Sequence, residues 1–228
     1  MAGHGDLGWP RALVYTPAMT NASDAIGGII LAGGLARRMG GGDKGLRAVA
    51  GTAMLERVID RVGPQVVALA VNANGDPARF AALGLPVVPD VVDGFVGPLA
   101  GVLSGMDWVR RSLPGVRWLV SVPTDTPFVP RDLVGRLAAA ADAAGVALAC
   151  AASAGQAHPV VGLWRIDLAE DLRAALVEQG VRKIDAWTAR HGVVHVDFPT
   201  DPVDPFFNAN TPEDLAEAER LMALEETP

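Results

Sequence analysis

Residues 31 to 44 read LAGGLARRMGGGDK: five glycines, two arginines, an aspartate and a lysine in fourteen positions. Glycine loses more conformational freedom on folding than any other residue, so a run this dense needs a task that only bare backbone can perform. Turns without side chains expose successive N–H groups and form concavities that bind anions. Arg37, Arg38 and Lys44 add positive charge beside them, the combination that neutralises phosphate oxygens. Three phosphate-binding loops compete for the segment, and spacing separates them. A P-loop requires glycine directly before its lysine and Ser or Thr directly after; Asp43 and Gly45 stand there instead. Gly40, Gly42 and Gly45 fit the G-x-G-x-x-G of dinucleotide sites, but that fingerprint begins where a strand ends, and this one starts well beyond the strand expected over 25–32. The third is a longer loop. Gly33 and Gly34 turn tightly at the strand's end, and the remainder wraps a nucleoside triphosphate. Of the 19 basic residues the lysines are Lys44 and Lys183, so a lysine inside the loop points to a compact charge able to follow a phosphate. Lys183 reads as part of an exposed helical face.

In an open α/β sheet, ligands bind outside the carboxyl ends of the strands. Asn72 and Asn74 follow VVALAVN, Asp90 ends PVVPD, and Asp125 follows WLVSVP, so these polar groups are expected to face one crevice with the glycine loop. Asp125 stands between Pro123 and Pro127, in backbone that resists helix. A carboxylate fixed there suits Mg2+, which takes one or two protein carboxylates plus substrate phosphates; a helix cap is the competing reading. Asp90 suits a base or ribose as well as a loop cap. His158 and His195 have no Cys or His at zinc spacing, and no G-x-S-x-G segment supplies a nucleophile, so both read as core or surface histidines. The single cysteine, Cys150, sits in the apolar run VALACAAS, which excludes an internal disulfide and suits a buried thiol in a reducing cytoplasm. Tryptophans 108, 118, 164 and 187 read as packing residues.

The elements that must position these groups alternate along the chain. Short apolar runs at 25–32, 66–72, 86–90, 118–123, 146–152, 160–164 and 193–198 read as strands. Stretches of helical spacing lie near 52–62, 77–83, 98–112, 131–144, 167–178, 182–190 and 212–224. That pattern predicts an α/β fold, a Rossmann-like three-layer sandwich with a mostly parallel sheet and helices on both faces. Asp76 before Pro77, and Thr211 before Pro212 with Asp214 following, mark helix starts. Residues 1–24 read as a flexible N-terminal extension and 25–228 as one domain. A net charge of −7 across 228 residues argues against general affinity for nucleic acid or an anionic membrane face. The sequence has no apolar run of the roughly 18 residues needed to cross a bilayer, and a cytoplasmic location is expected.

With LAGGLARRMGGGDKG, VNAN, GPLAGVLSGM, DTPFVP and NANTPEDL in this order, the chain resembles the molybdenum cofactor guanylyltransferases from about residue 25 to 225. The resemblance implies transfer of GMP from Mg·GTP to the terminal phosphate of molybdopterin, with release of pyrophosphate. It implies that Leu31, Ala32 and Gly33 hold the nucleotide through backbone groups, that Lys44 contacts phosphate, that Asn72 and Asp90 contact GTP, and that Asp125 binds Mg2+ and nucleotide. Arg38 matches an arginine near the phosphates, and Asn208 and Asn210 match the pterin side. Transient contact with molybdoenzymes or cofactor chaperones belongs to the same expectation. Two other functions stay open on the residues: a cytidylyl or other small-molecule nucleotidyltransferase, and a GTP-binding regulator without catalysis.

Overall fold

The computed structural model describes residues 25–33, 44–94 and 97–225. The extension at 1–24, Arg37, Arg38 and the loop glycines Gly34, Gly40 and Gly42 lie outside the described residues. Strands β1 (Ile26–Leu31), β4 (Ala68–Asn72), β5 (Val87–Val88), β6 (Trp118–Pro123), β7 (Leu148–Ser153), β8 (Gln156–Arg165) and β9 (Val194–Phe198) form a seven-stranded sheet in the order β5-β4-β1-β6-β8-β7-β9. The β1–β4, β1–β6, β4–β5 and β7–β9 pairs are parallel, and β8 runs antiparallel to both its neighbours. A two-stranded hairpin, β2 (Ala48–Val49) with β3 (Thr52–Ala53), stands apart.

Alternation of side chains along each strand sends neighbours to opposite faces, and each face is covered by helices. Ile26 and Ile30 of β1 join Leu69, Val71, Val120 and Val122 beneath α1 (Met54–Val62) and α3 (Leu133–Ala144). Ile29 joins Ala68, Ala70 and Leu119 on the other face, under α2 (Pro98–Ser112), α4 (Ala169–Val177) and α5 (Ile184–Thr188). Helix α6 (Pro212–Glu225) packs on the small hairpin, with Ala218 and Met222 against Val49, Met54 and Phe128. Trp108, Trp164 and Trp187 are buried, as packing residues should be.

Three local features differ from the sequence expectation. Thr52 and Ala53 pair in β3 instead of opening a helix, because the Glu56 carboxylate accepts the Ala53 N–H at 3.2 Å and fixes the helix start at Met54. Pro77–Leu83 forms a 3-10 helix, capped by Asp76, whose Oδ1 accepts the Ala78 N–H at 2.9 Å. Strand β8 begins at Gln156, earlier than residue 160, because a tight turn at Ala154 and Gly155 pairs Ser153 with Gln156. No helix among the described residues is long and apolar enough to cross a membrane.

Candidate functional site

Parallel pairing aligns the carboxyl ends of four strands. Leu31 is level with Asn72 on one side and Pro123 on the other, and Asn72 is level with Val88. The Ala32 N–H donates to the Asn72 carbonyl at 2.8 Å, which carries the ladder one residue past β1 and leaves exposed Gly33 at the mouth. Leu31, Gly33, Asn72, Asn74, Asp90 and Pro98 line a cleft of about 330 Å3 here.

One wall of the cleft is a locked polar triad. Asn72, 4% exposed, donates through Nδ2 to the Val88 carbonyl and to Asp90 Oδ1, both at 3.0 Å. Asn74 donates to Asp90 Oδ2 at 2.8 Å and accepts the Asp90 N–H at 2.9 Å. Both oxygens of Asp90 are therefore oriented by amides. This makes Asp90 a clamp on the ends of β4 and β5 as well as a wall of the cleft. The close approach of α2 completes the wall: a Cβ on Gly101 would lie 2.4 Å from Asn72 Oδ1, so only glycine lets the helix pass at this depth.

A second cluster forms at the end of β6. The Lys44 ammonium donates to Asp125 Oδ2 at 2.5 Å, to Asn208 Oδ1 at 3.2 Å and to Asn210 Oδ1. An ammonium has three N–H donors, and each meets an oxygen. Gly45 presses on Thr124, where a Cβ would come within 2.8 Å of the threonine Cβ, and this pins the end of the glycine loop to the end of β6. The Ala209 N–H donates to the Asp125 carbonyl at 3.1 Å, setting Asn208 and Asn210 on either side of Lys44. The Asp214 carboxylate accepts the N–H groups of Asn210 (2.8 Å) and Thr211 (2.9 Å), and Thr211 Oγ1 accepts the Asp214 N–H at 3.1 Å. This capping box at the start of α6 holds the asparagine pair in place. The Asn210 N–H, with those of Thr211, keeps the Asp214 carboxyl below its usual range.

Asp125 Oδ1 is buried and has no hydrogen-bond partner among the described residues. A carboxylate oxygen in that state is costly unless something cationic meets it, so the donor set fits a divalent cation that completes its shell with substrate oxygens. No cluster of three or more metal-ligating His, Cys, Asp or Glu occurs among the described residues.

The structure thus brings Leu31, Gly33, Asn72 and Asp90 to one cleft, with Ala32 bonded to Asn72 beside it, and joins Lys44, Asp125, Asn208 and Asn210 in a second cluster at the end of β6. Arg38 lies outside the described residues. His195 is exposed, and Cys150 is buried, with desolvation pushing its thiol up to about 11. Sequence reasoning missed Gly101 as the glycine that admits Asn72. It also read Asp214 only as a cap, although that cap fixes two site residues; the Asn-x-Asn directly before a capping box was the available signal.

The sequence profile of the MobA-like NTP transferase domain matches residues 28–193. The molybdenum cofactor guanylyltransferase of Bradyrhizobium sp. (strain ORS 278) is 58% identical over 207 residues, covering 91% of this chain and 98% of that protein. Its counterpart in Rhodopseudomonas palustris (strain BisB5) is 58% identical over 193 residues, covering 85% and 92%. Among solved structures, molybdopterin-guanine dinucleotide biosynthesis protein A from Archaeoglobus fulgidus aligns with a TM-score of 0.67 at 24% identity, covering 87% of this chain and 99% of that one. A CMP:2-keto-3-deoxy-manno-octonic acid synthetase complexed with CTP aligns at 0.66 and 16% identity, covering 88% and 99%. At these identities the structural likenesses establish the fold.

Proposed function

The chain belongs to the molybdenum cofactor guanylyltransferases of the MobA-like NTP transferase family, and from that premise we propose that it transfers GMP from GTP to the terminal phosphate of molybdopterin. The products are pyrophosphate and the guanine dinucleotide cofactor. The observation that carries the reading is the position of Lys44, whose one ammonium joins the carboxylate at the end of β6 to the asparagine pair before α6. That is the junction a transfer between two anions needs.

The nucleophile is a phosphate monoester with a second pKa of about 6, so it is mostly dianionic at neutral pH and needs no general base. The protein's task is to bring two anions together, hold them in line and stabilise the charge that develops on the leaving pyrophosphate. Backbone groups of Leu31, Ala32 and Gly33 with the Asn72–Asp90 wall hold the nucleotide. Lys44 leaves Asp125 Oδ2 for a phosphate oxygen when GTP arrives, and Arg38 neutralises the same group. Asn208 and Asn210 face the pterin substrate. Asp125 would hold Mg2+ through its unpartnered Oδ1; when bound, the ion neutralises triphosphate charge and favours departure of pyrophosphate. A cytoplasmic setting and transient hand-over of the product to molybdoenzymes or cofactor chaperones complete the proposal, supported by the single buried thiol and the lability such a cofactor would have in free solution.

Purified protein given GTP, molybdopterin and Mg2+ should release pyrophosphate as the dinucleotide forms. GTP should be preferred to CTP, and a preference for CTP would transfer the assignment to a cytidylyl enzyme.

A further inference from the structure

Beyond the residues assigned above, a second polar chain lies on the carboxyl-end side of the sheet. Asp204, in the loop between β9 and α6, accepts through one oxygen, Oδ1, the Ser153 hydroxyl at 2.9 Å and the Phe206 N–H at 2.9 Å. Its carbonyl accepts the Phe207 N–H at 3.1 Å. Ser153, at the end of β7, is 1% exposed, and its Oγ also lies 2.7 Å from His158 Nε2. A hydroxyl has one proton, and a carboxylate only accepts. Ser153 therefore donates to Asp204 and accepts from His158, whose neutral ring must carry its proton on Nε2. Burial lowers the affinity of His158 for a second proton. The His158 ring packs on Phe206, 4.6 Å between centroids, and Phe206 meets Phe198 edge-on at 5.3 Å.

The chain leaves this knot at Phe206 and within four residues delivers Asn208 and Asn210 to Lys44, with Ala209 between them bonded to the Asp125 carbonyl. Asn208 and Asn210 thus hang between two anchors: the Asp204 turn on one side, and the Asp214 box with the Ala209–Asp125 bond on the other. The second anchor holds backbone already tied to Asp125. The first ties the asparagines to the β7–β8 hairpin, a different part of the sheet.

We propose that Asp204, Ser153 and His158 are positioning residues for the acceptor half of the site, setting through this hydrogen-bonded chain the turn from which Asn208 and Asn210 reach the pterin substrate. The proposal rests on the assignment of those asparagines to the molybdopterin side. Among the described residues no hydrogen bond joins this chain to the Asn72–Asp90 wall, the part of the site assigned to GTP, so the two substrates should respond unequally to its loss.

The test is steady-state kinetics of Asp204→Ala and Asp204→Asn with each substrate varied in turn, beside direct GTP binding. Asparagine keeps an oxygen able to accept both the Ser153 hydroxyl and the Phe206 N–H. Asp204→Ala should raise the KM for molybdopterin about tenfold or more, the scale of losing a part-buried acceptor that satisfies two donors, with a smaller change in KM and Kd for GTP, because Lys44 keeps its Asp125 partner when the asparagines shift. Asp204→Asn should restore most of that loss. If Asp204→Ala does not fold, Ser153→Ala, which removes one hydroxyl, should show a smaller shift in the same direction. An unchanged KM for molybdopterin, an equal rise for both substrates, or an asparagine variant as impaired as alanine would overturn the proposal. Wild-type protein that forms no dinucleotide would instead remove the functional reading beneath it.

Discussion

Replacing Gly101 by alanine probes the Asn72–Asp90 wall of the cleft through a contact that sequence alone does not show. The new Cβ would lie 2.4 Å from Asn72 Oδ1, 2.8 Å from Leu31 Cδ2 and 3.1 Å from Asn72 Cγ. The tightest of these is about 1 Å short of ordinary van der Waals contact. Asn72 cannot retreat freely, because its Nδ2 is tied to the Val88 carbonyl and to Asp90 Oδ1. Overpacking of this kind costs about 1–3 kcal/mol, and the better helix propensity of alanine returns about 1 kcal/mol. A net loss of up to about 2 kcal/mol remains, and each kcal/mol should lower Tm by roughly 2–4 °C in a domain of this size. Displacing Asn72 also disturbs Asp90, so the KM for GTP should rise about tenfold, the value of one or two lost hydrogen bonds, while the KM for molybdopterin holds. Gly135→Ala is the control: Gly135 lies in α3 with no atom within 4 Å of its would-be Cβ, and alanine there should stabilise by about 0.5–1 kcal/mol. Thermal unfolding and steady-state kinetics of both variants decide the matter. If Gly101→Ala were stabilised like Gly135→Ala and kept its KM for GTP, the account of this wall would be refuted.

Further outcomes follow from the same geometry. Lys44→Ala should lower kcat/KM for GTP by about a hundredfold or more, the scale of losing a charge that stabilises the transition state; Lys44→Arg should restore little, because a bulky planar guanidinium does not reproduce the compact point charge that passes from Asp125 to a phosphate oxygen. Cys150, with its thiol pushed to about 11 by burial, should resist a disulfide reagent at about pH 8 in the native protein and react once unfolded; rapid labelling of folded protein would contradict its placement. Asp214 has a folded-state pKa held below its ordinary 3.8 by the backbone N–H groups it accepts, so its stabilisation is complete above 3.8 and is lost as pH falls through the lower, folded value. The gap in urea midpoint between wild type and Asp214→Asn should accordingly be widest near neutral pH and close in acid, and a gap independent of pH would argue against this cap.

Much of the frame was legible because it rests on local rules. The short, unbroken apolar run IGGIIL marks β1 as a strand packed on both faces, and it is buried from Ile26 to Ile30; the Asp-Pro and Thr-Pro pairs mark the starts of their helices. The rule that ligands sit at strand ends brought Asn72, Asp90 and Asp125 to one edge before any coordinates. What sequence spacing could not supply was the pairing across the fold. Lys44 meets Asp125 across 81 positions and Asn210 across 166, and no local periodicity encodes that; resemblance to a family pointed to the asparagines, and topology brought them to the lysine. Metal-ligand spacing says nothing of a histidine's hydrogen bonds, so the bond from His158 to a serine, and from that serine to Asp204 across 51 positions, has no signal in the sequence. The antiparallel run of β8 depends on a two-residue turn whose Ala154 takes a positive φ, an uncommon state that alanine does not advertise.

The central claim is that Asp125 holds the cation and Lys44 the phosphate during guanylyl transfer. It is tested most directly by measuring pyrophosphate and guanine dinucleotide formation from GTP and molybdopterin, with and without Mg2+, for wild-type protein and Asp125→Ala of confirmed fold. The account predicts equal amounts of the two products from wild type, dependence on the ion, and no turnover by the variant. Undiminished turnover by Asp125→Ala, or product formed equally well without a divalent cation, would contradict it.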